Sequence, residues 1–535
     1  MGSIKNETWE LIAARKREAL ASSIPTEWRI PRDLLPPASQ ADVTGWPESS
    51  GWFTPKELAI TNGNPSELLP KLASGQLKSL EVTRAFCKRA AAAHQLVNCL
   101  SETCFDRALD AAARLDEHLA RTGEVVGPLH GLPISLKDNF NVAGLDATVG
   151  FASHVGRPAA ETAVLPQILQ AAGAVFYVKT NVPTAMMIAE SVNNVFGRTV
   201  NPRNRQLTSG GSSGGESALI AFGGSPWGVG TDIGGSLRIP AACTGIFSLR
   251  PSFGRFPTLG CRSGMAGQEA VQSVNGPLAR TVADLELYGR TVVGSGTWLW
   301  DPRCVPIPWR DVEVPAKLRI GVMWDDGMVR PTPPVARALR EVADKLKGAG
   351  VEVVEWVPEE HDVGLNLLER MFVADGGISI KKELEKTGEP LRPEMEAYGT
   401  AKELGTYDMW QLHIERMSFQ KRYLDRWNKA GVDAILCPTT PFTSPRNGTF
   451  KHVGYTGVYN VLDYSCVSFP TGRLADKSVD TYDPEAEPLG PVCETIRSEY
   501  DADLVHGMPI SLQLVARRLE EEKAIAMVKR VLEII

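Results

Sequence analysis

The sequence predicts an α/β protein: a single large α/β/α body whose mixed β-sheet is covered by helices on both faces. Three observations carry that prediction. From Gly127 onward, short β-branched runs alternate with amphipathic helical patterns, and the alternation resumes after Leu318. The chain is 43% hydrophobic over 535 residues, which is ample for a large buried core. Its 49 glycines and 37 prolines mark it as loop-rich, yet well short of a disordered composition.

Residues 1–60 read as an N-terminal helical arm. A short basic helix over residues 9–20 is followed by the Pro-rich run Pro31-Arg-Asp-Leu-Leu-Pro36-Pro37. The apolar face of that helix is narrow. It is expected to pack on the surface or against a sister subunit, as in a homodimer, rather than to lie in a membrane. Residues 61–535 form the main domain. Val82, Phe86 and Ala90 predict a helix over residues 79–93 with Ser79 as its N-cap, and Phe105, Leu109, Ala112, Leu115 and Leu119 share one face of the next. A strand ends in Leu132-Pro-Ile-Ser-Leu-Lys137. A helix covers residues 163–172, with Pro166 tolerated in its first turn, and residues 174–178 form a buried strand. Strands at 318–324, 351–356 and 433–437, with a helix at 335–347, continue the series. Residues 298–315 hold four prolines and three tryptophans and read as a connector between the early and late halves.

Charge and cysteine usage exclude several classes of function. There are 57 basic and 63 acidic residues, a net charge of −6, and no basic block is interleaved with aromatics, so nucleic acid is not an expected partner. The nine cysteines include no CxxC pair, and no histidine stands at metal-ligand spacing from them. They read as reduced thiols of a cytoplasmic protein with no metal site. The N-terminus has no apolar run and is not expected to be a signal peptide. Asn6 breaks the myristoylation pattern, and runs such as 171–178 are too short to span a bilayer. The Asn-x-Thr matches at Asn6 and Asn447 therefore carry no meaning.

The chemistry is concentrated between residues 207 and 258. Leu207-Thr-Ser-Gly-Gly-Ser212-Ser213-Gly-Gly-Glu216 is followed by Gly228-Val-Gly-Thr-Asp232-Ile-Gly-Gly-Ser236-Leu-Arg238-Ile-Pro240. Its glycines alternate with Leu219, Ile220, Phe222, Val229, Ile233 and Ile239, so the segment is packed rather than a flexible linker. Such glycines mark close approaches of backbone or positive φ. Three readings compete. A phosphate cradle at Gly228-x-Gly230 fails on spacing, because Gly234 comes one residue too late. A nucleophile elbow, Gly210-Gly-Ser212-Ser-Gly214, needs a preceding strand, and residues 201–206 are a poor one. The third reading takes successive backbone N–H groups at Ile233-Gly-Gly-Ser236 as an oxyanion hole beside a serine. That serine needs a base, and no histidine lies near a Gly/Ser motif. Lys137, ending an apolar strand where burial favours the neutral amine, is the candidate.

Taken together, these motifs closely resemble the amidase signature family. Gly210-Gly-Ser-Ser-Gly-Gly215 and Gly230-Thr-Asp-Ile-Gly-Gly-Ser-Leu-Arg-Ile-Pro240 match its hallmark, and Gly127-Pro-Leu-His-Gly-Leu-Pro-Ile-Ser-Leu-Lys-Asp138 matches its lysine motif. The steps of 75 residues from Lys137 to Ser212 and 24 from Ser212 to Ser236 also fit. The resemblance is densest over about 127–258 and runs on to Gly507-Met-Pro-Ile-Ser-Leu-Gln513. Ala85-Phe-Cys-Lys-Arg-Ala90 and Arg198-Thr-Val-Asn-Pro-Arg203 make the fungal acetamidase-type enzymes the nearest in pattern.

The resemblance implies a serine hydrolase of amide C–N bonds that needs no cofactor and acts on a small-molecule amide. It implies that Ser236 is acylated and that Ser212 bridges it to neutral Lys137. It also implies a cis Gly211–Ser212 bond, and an oxyanion hole at the backbone of Ile233, Gly234, Gly235 and Ser236. Met186 stands where relatives contact substrate, with ordinary core filling as the alternative. Asp232 and Arg238 are expected to brace the loop as an ion pair. Residues 360–430 match relatives loosely and are expected to shape the acyl pocket. Two alternatives remain open: an acyl-transferase of the same family passing the acyl group to an amine, and a glutaminase subunit of a tRNA amidotransferase.

Overall fold

Residues 7–315, 317–482 and 487–535 are described in a computed structural model; Asn6 lies outside them. Eleven strands form one mixed sheet. In spatial order they are Leu100–Thr103, Val175–Thr180, Pro133–Lys137, Trp227–Asp232, Val274–Ala279, Phe247–Arg250, Ser465–Leu474, Pro509–Ala516, Ala434–Pro438, Arg319–Val322 and Glu352–Glu355. Pro133–Lys137 and Arg319–Val322 each run parallel to both neighbours, and the other pairs are antiparallel. Helices cover both faces, so the inner strands are buried throughout, as unbroken apolar runs require. The helix Pro333–Gly348 buries Val335, Ala338, Leu339, Val342 and Leu346, the spacing of one helical face.

The expected elements are present, with ends shifted by a residue or two, except that the helix expected over residues 79–93 runs on to Val97. Pro166 falls in the first turn of Val164–Ala171, where its missing N–H has no partner to lose. Ser79 begins the helix Ser79–Val97 rather than capping it. The cap is Asp116, whose carboxylate accepts the N–H groups of Ser79 at 2.7 Å and Leu80 at 3.0 Å. The arm packs on its own chain. The helix Trp9–Ser22 sends Lys16 to Glu102 and Asp146, and Trp28 meets Phe105 edge-on at 5.2 Å. Trp46, Phe53 and Ile60 belong to the main hydrophobic core. The 298–315 connector lays Trp309 against Gly289, and the early and late halves share one sheet. Among the described residues, no helix is long and apolar enough to cross a membrane.

Parallel pairing of Pro133–Lys137 with Trp227–Asp232 decides where the chemistry lies. It brings the C-terminal ends of both strands to one edge, so Lys137 stands beside Thr231 and Asp232.

Candidate active site

Lys137 is fully buried at the end of its strand. Its Nζ donates to Ser212 Oγ at 2.7 Å and to Thr231 Oγ1 at 2.7 Å. Burial pushes the ammonium down to about 7, against the opposing pull of Asp232, Glu216 and Asp138. An amine so placed can hold or release a proton near neutrality.

Ser212 follows a cis peptide bond at Gly211–Ser212, just before the helix Gly214–Ala221. A strand does precede this loop, contrary to the reading of residues 201–206: it is Asn204–Thr208. It pairs with Val200–Asn201 in a separate two-stranded sheet, not with the main one. The elbow geometry is absent, and Ser212 meets a lysine instead of a histidine. Neighbouring serines lock the loop: Ser213 N donates to Ser236 O at 3.3 Å, and Gly214 N donates to Ser191 Oγ at 2.9 Å.

Ser236 lies in the turn after Trp227–Asp232. At 9% exposure it is the most open of the three, against 2% for Ser212. Asp232 organises this turn, accepting from Gly235 N at 2.8 Å and Leu237 N at 3.1 Å. Arg238 forks onto the same carboxylate with two bonds of 3.1 Å, and both residues are fully buried. Burial alone would raise the Asp232 carboxyl, but the guanidinium outweighs it and holds the group well below the usual range. The expected ion pair is therefore a brace, and it reaches further than the motif. Asn460 donates to Asp232 at 2.8 Å and accepts from Arg238 at 2.6 Å, while Thr456 Oγ1 donates to the Gly234 carbonyl at 2.7 Å. One expected oxyanion donor is changed by this network: the Gly235 N–H is taken by Asp232. The N–H groups of Ile233, Gly234 and Ser236 meet no acceptor among the described residues.

Gly228 and Gly230 lie inside a strand, so neither belongs to a phosphate-binding turn. A Cβ at Gly228 would come within 1.8 Å of Glu216 Oε1. The glycine makes room for that buried carboxyl, which burial pushes up to about 7 and which accepts from Ser135 and Thr180.

A cavity of about 360 Å³ opens beside the turn, bordered by Asn139, Met186, Thr231, Ile233, Arg262 and Glu269 among others. Met186 borders this cavity and also packs against an apolar cluster that includes Phe151, Ala185, Met265 and Ile380. Phe372 ends the helix His361–Phe372, its ring 3.4 Å from where a Gly234 Cβ would stand.

The family model for amidases matches residues 81–525. The chain belongs to the amidase family. It is 40% identical to an acetamidase of Emericella nidulans, over 98% of each chain, and 39% identical to one of Aspergillus oryzae, again over 98% of each. A solved structure of a fatty acid amide hydrolase superposes with a TM-score of 0.94 at 35% identity, covering 100% of this chain and 97% of that one. The protein is thus an amidase, a hydrolase acting on amides.

In this amidase the fold brings Lys137 and Ser212 into contact, sets Ser236 one loop away, and puts Met186 at the cavity. Of residues 360–430, the stretch 372–398 reaches this side of the molecule through Phe372, Ile380, Leu384 and Tyr398. The helix Thr406–Ala430 turns Phe419, Tyr423 and Trp427 into a different cluster. Sequence reasoning missed Thr231, Thr456 and Asn460. Thr231 carried a signal, since it lies inside the Gly-Thr-Asp motif at the end of a strand. Thr456 and Asn460 carried none.

Proposed function

We propose that this amidase works through an acyl-enzyme on Ser236, with Ser212 and Lys137 as its proton relay. The observation that supports the reading most is the 2.7 Å contact between Ser212 Oγ and a buried lysine whose amine titrates at about 7. Ser236 Oγ attacks the amide carbonyl, its proton passes to Ser212, and the Ser212 proton passes to Lys137 Nζ. The oxyanion is met by the N–H groups of Ile233, Gly234 and Ser236. The C–N bond breaks as the nitrogen is protonated from Lys137, releasing ammonia or an amine. Water then hydrolyses the ester by the same relay in reverse.

The substrate is a small or medium neutral amide. A cavity of about 360 Å³ is near the lower end of ligand pockets, and Met186, Ile233 and Met265 on its wall give an apolar acyl group something to pack on. The acetamidase relatives agree with a short acyl group. Nine unpaired cysteines favour a reducing, cytoplasmic setting.

Labelling tests the assignment. Ser236→Ala is expected to abolish both turnover and reaction with a fluorophosphonate. Ser212→Ala is expected to slow both severely while the label still lands on Ser236, because nucleophile and oxyanion donors survive. Mass spectrometry of the labelled peptide decides, and an adduct on Ser212 would overturn the scheme.

A further inference from the structure

Lys137 holds two hydroxyls at equal distance, and the relay proposed above uses one. Ser212 Oγ and Thr231 Oγ1 each lie 2.7 Å from Nζ. Their surroundings differ. Thr231 and its neighbour Ile233 border the cavity of about 360 Å³ beside the Ser236 turn, whereas neither Ser212 nor Ser236 is among the residues that line it. The Thr231 main chain is held on both sides by one hydroxyl: its N–H donates to Ser213 Oγ at 3.4 Å, and Ser213 Oγ donates to its carbonyl at 3.3 Å. Its Oγ1 accepts from the lysine, and no described residue accepts the proton of that hydroxyl. A fixed hydroxyl on a cavity-lining residue, fed by the catalytic amine and with its own proton unassigned, is placed to donate to bound substrate.

We infer that Thr231 delivers the proton to the leaving nitrogen, so that Lys137 takes a proton through Ser212 and returns it through Thr231. The step balances. The C–N bond breaks with its electron pair going to nitrogen, and nitrogen takes the Thr231 Oγ1 proton. Thr231 Oγ1 is reprotonated by the Lys137 ammonium, and Lys137 ends neutral. A protonated amine has three N–H donors, enough to address both hydroxyls at once. The inference rests on the acyl-enzyme reading, and it divides that relay into an entry path and an exit path. Separate paths spare one hydroxyl from turning around between attack and collapse.

Leaving-group chemistry tests it. An anilide must be protonated to depart, whereas the p-nitrophenyl ester of the same acid loses a stable phenolate without a proton. Thr231→Val, close to isosteric, is expected to lower kcat/KM for the anilide by ~10²-fold or more while the ester falls by less than about tenfold. Thr231→Ser restores the hydroxyl and is expected to recover most anilide turnover. Circular dichroism and fluorophosphonate labelling of Ser236 check that Thr231→Val is folded and its nucleophile intact. Equal losses on anilide and ester with label retained would sink this inference alone, since Thr231 would then only orient Lys137. Unchanged anilide turnover would sink it as well. Failure of the unaltered enzyme to take label on Ser236 would remove the acyl-enzyme scheme and this inference with it.

Discussion

At the scale of single residues, burial does the chemical work. Lys137 has no solvent contact, and removing water from an ammonium favours its neutral form. Its amine is pushed down to about 7, so the deprotonated, proton-accepting state dominates above that pH. kcat/KM on an amide is therefore expected to be low in acid, to rise through a single ionisation near 7, and to level off on the alkaline side. Lys137→Ala is expected to lose most amide turnover without unfolding. Lys137→Arg is expected to be as inactive, because a guanidinium stays protonated across the range. A pH–rate series on the three proteins checks this, and wild-type rates in Lys137→Ala would refute the role. The role proposed for Lys137 was legible from its strand-end position and its motif. That its amine serves Thr231 as well was not, because Thr231 lies 94 residues further along the chain.

Among the elements, the turn after Trp227–Asp232 shows what the glycines are for. Gly235 has φ +134, and a Cβ there would come within 2.3 Å of Thr456 Oγ1 and 2.6 Å of Ile239 Cδ1. At the adjacent Gly234 a Cβ would make only ordinary van der Waals contact, its nearest neighbour being the Phe372 ring at 3.4 Å. Gly235→Ala is therefore expected to destabilise the fold by about 1–3 kcal/mol and to slow turnover by displacing the Ser236 turn. Gly234→Ala is expected to melt near the wild-type temperature. Thermal melting of the pair measures the contrast, and equal melting temperatures would contradict it. Reading packed glycines as close approaches was correct, but the sequence does not name the approaching group. At Gly228 it is Glu216 and at Gly235 it is Thr456, each delivered by another part of the chain. The start of Ser79–Val97 teaches the same lesson, since its cap comes from Asp116 on the next helix.

At the scale of the whole molecule, residues 7–60 are built into the body. Trp28, Trp46, Phe53 and Ile60 sit in the same core as Phe86, Leu136 and Trp227, and Lys16 is bound by Glu102 and Asp146. Deleting residues 1–60 would expose that apolar surface, at roughly 1.5–3 kcal/mol for each large buried side chain. The truncated chain is expected to be insoluble or to lose its cooperative melt. A soluble truncation with the full-length melting temperature would instead mark the segment as a separable arm.

The sequence by itself determined the segments with strong local periodicity, such as Pro333–Gly348, because periodicity is a local property, but it missed weaker ones such as Asn204–Thr208. It also identified the amidase family, and it singled out Lys137, Ser212 and Ser236, the residues of the proposed relay, because each sits in a short motif of fixed spacing. The tertiary structure alone decided how those segments meet. It set Pro133–Lys137 parallel to Trp227–Asp232, brought Thr231 to the lysine, and gave the Gly235 amide to Asp232. It also recruited Thr456 and Asn460 to the Ser236 turn from 222 residues away. The reason is physical: a hydrogen bond between distant segments depends on how the whole sheet closes, and no local propensity encodes that closure.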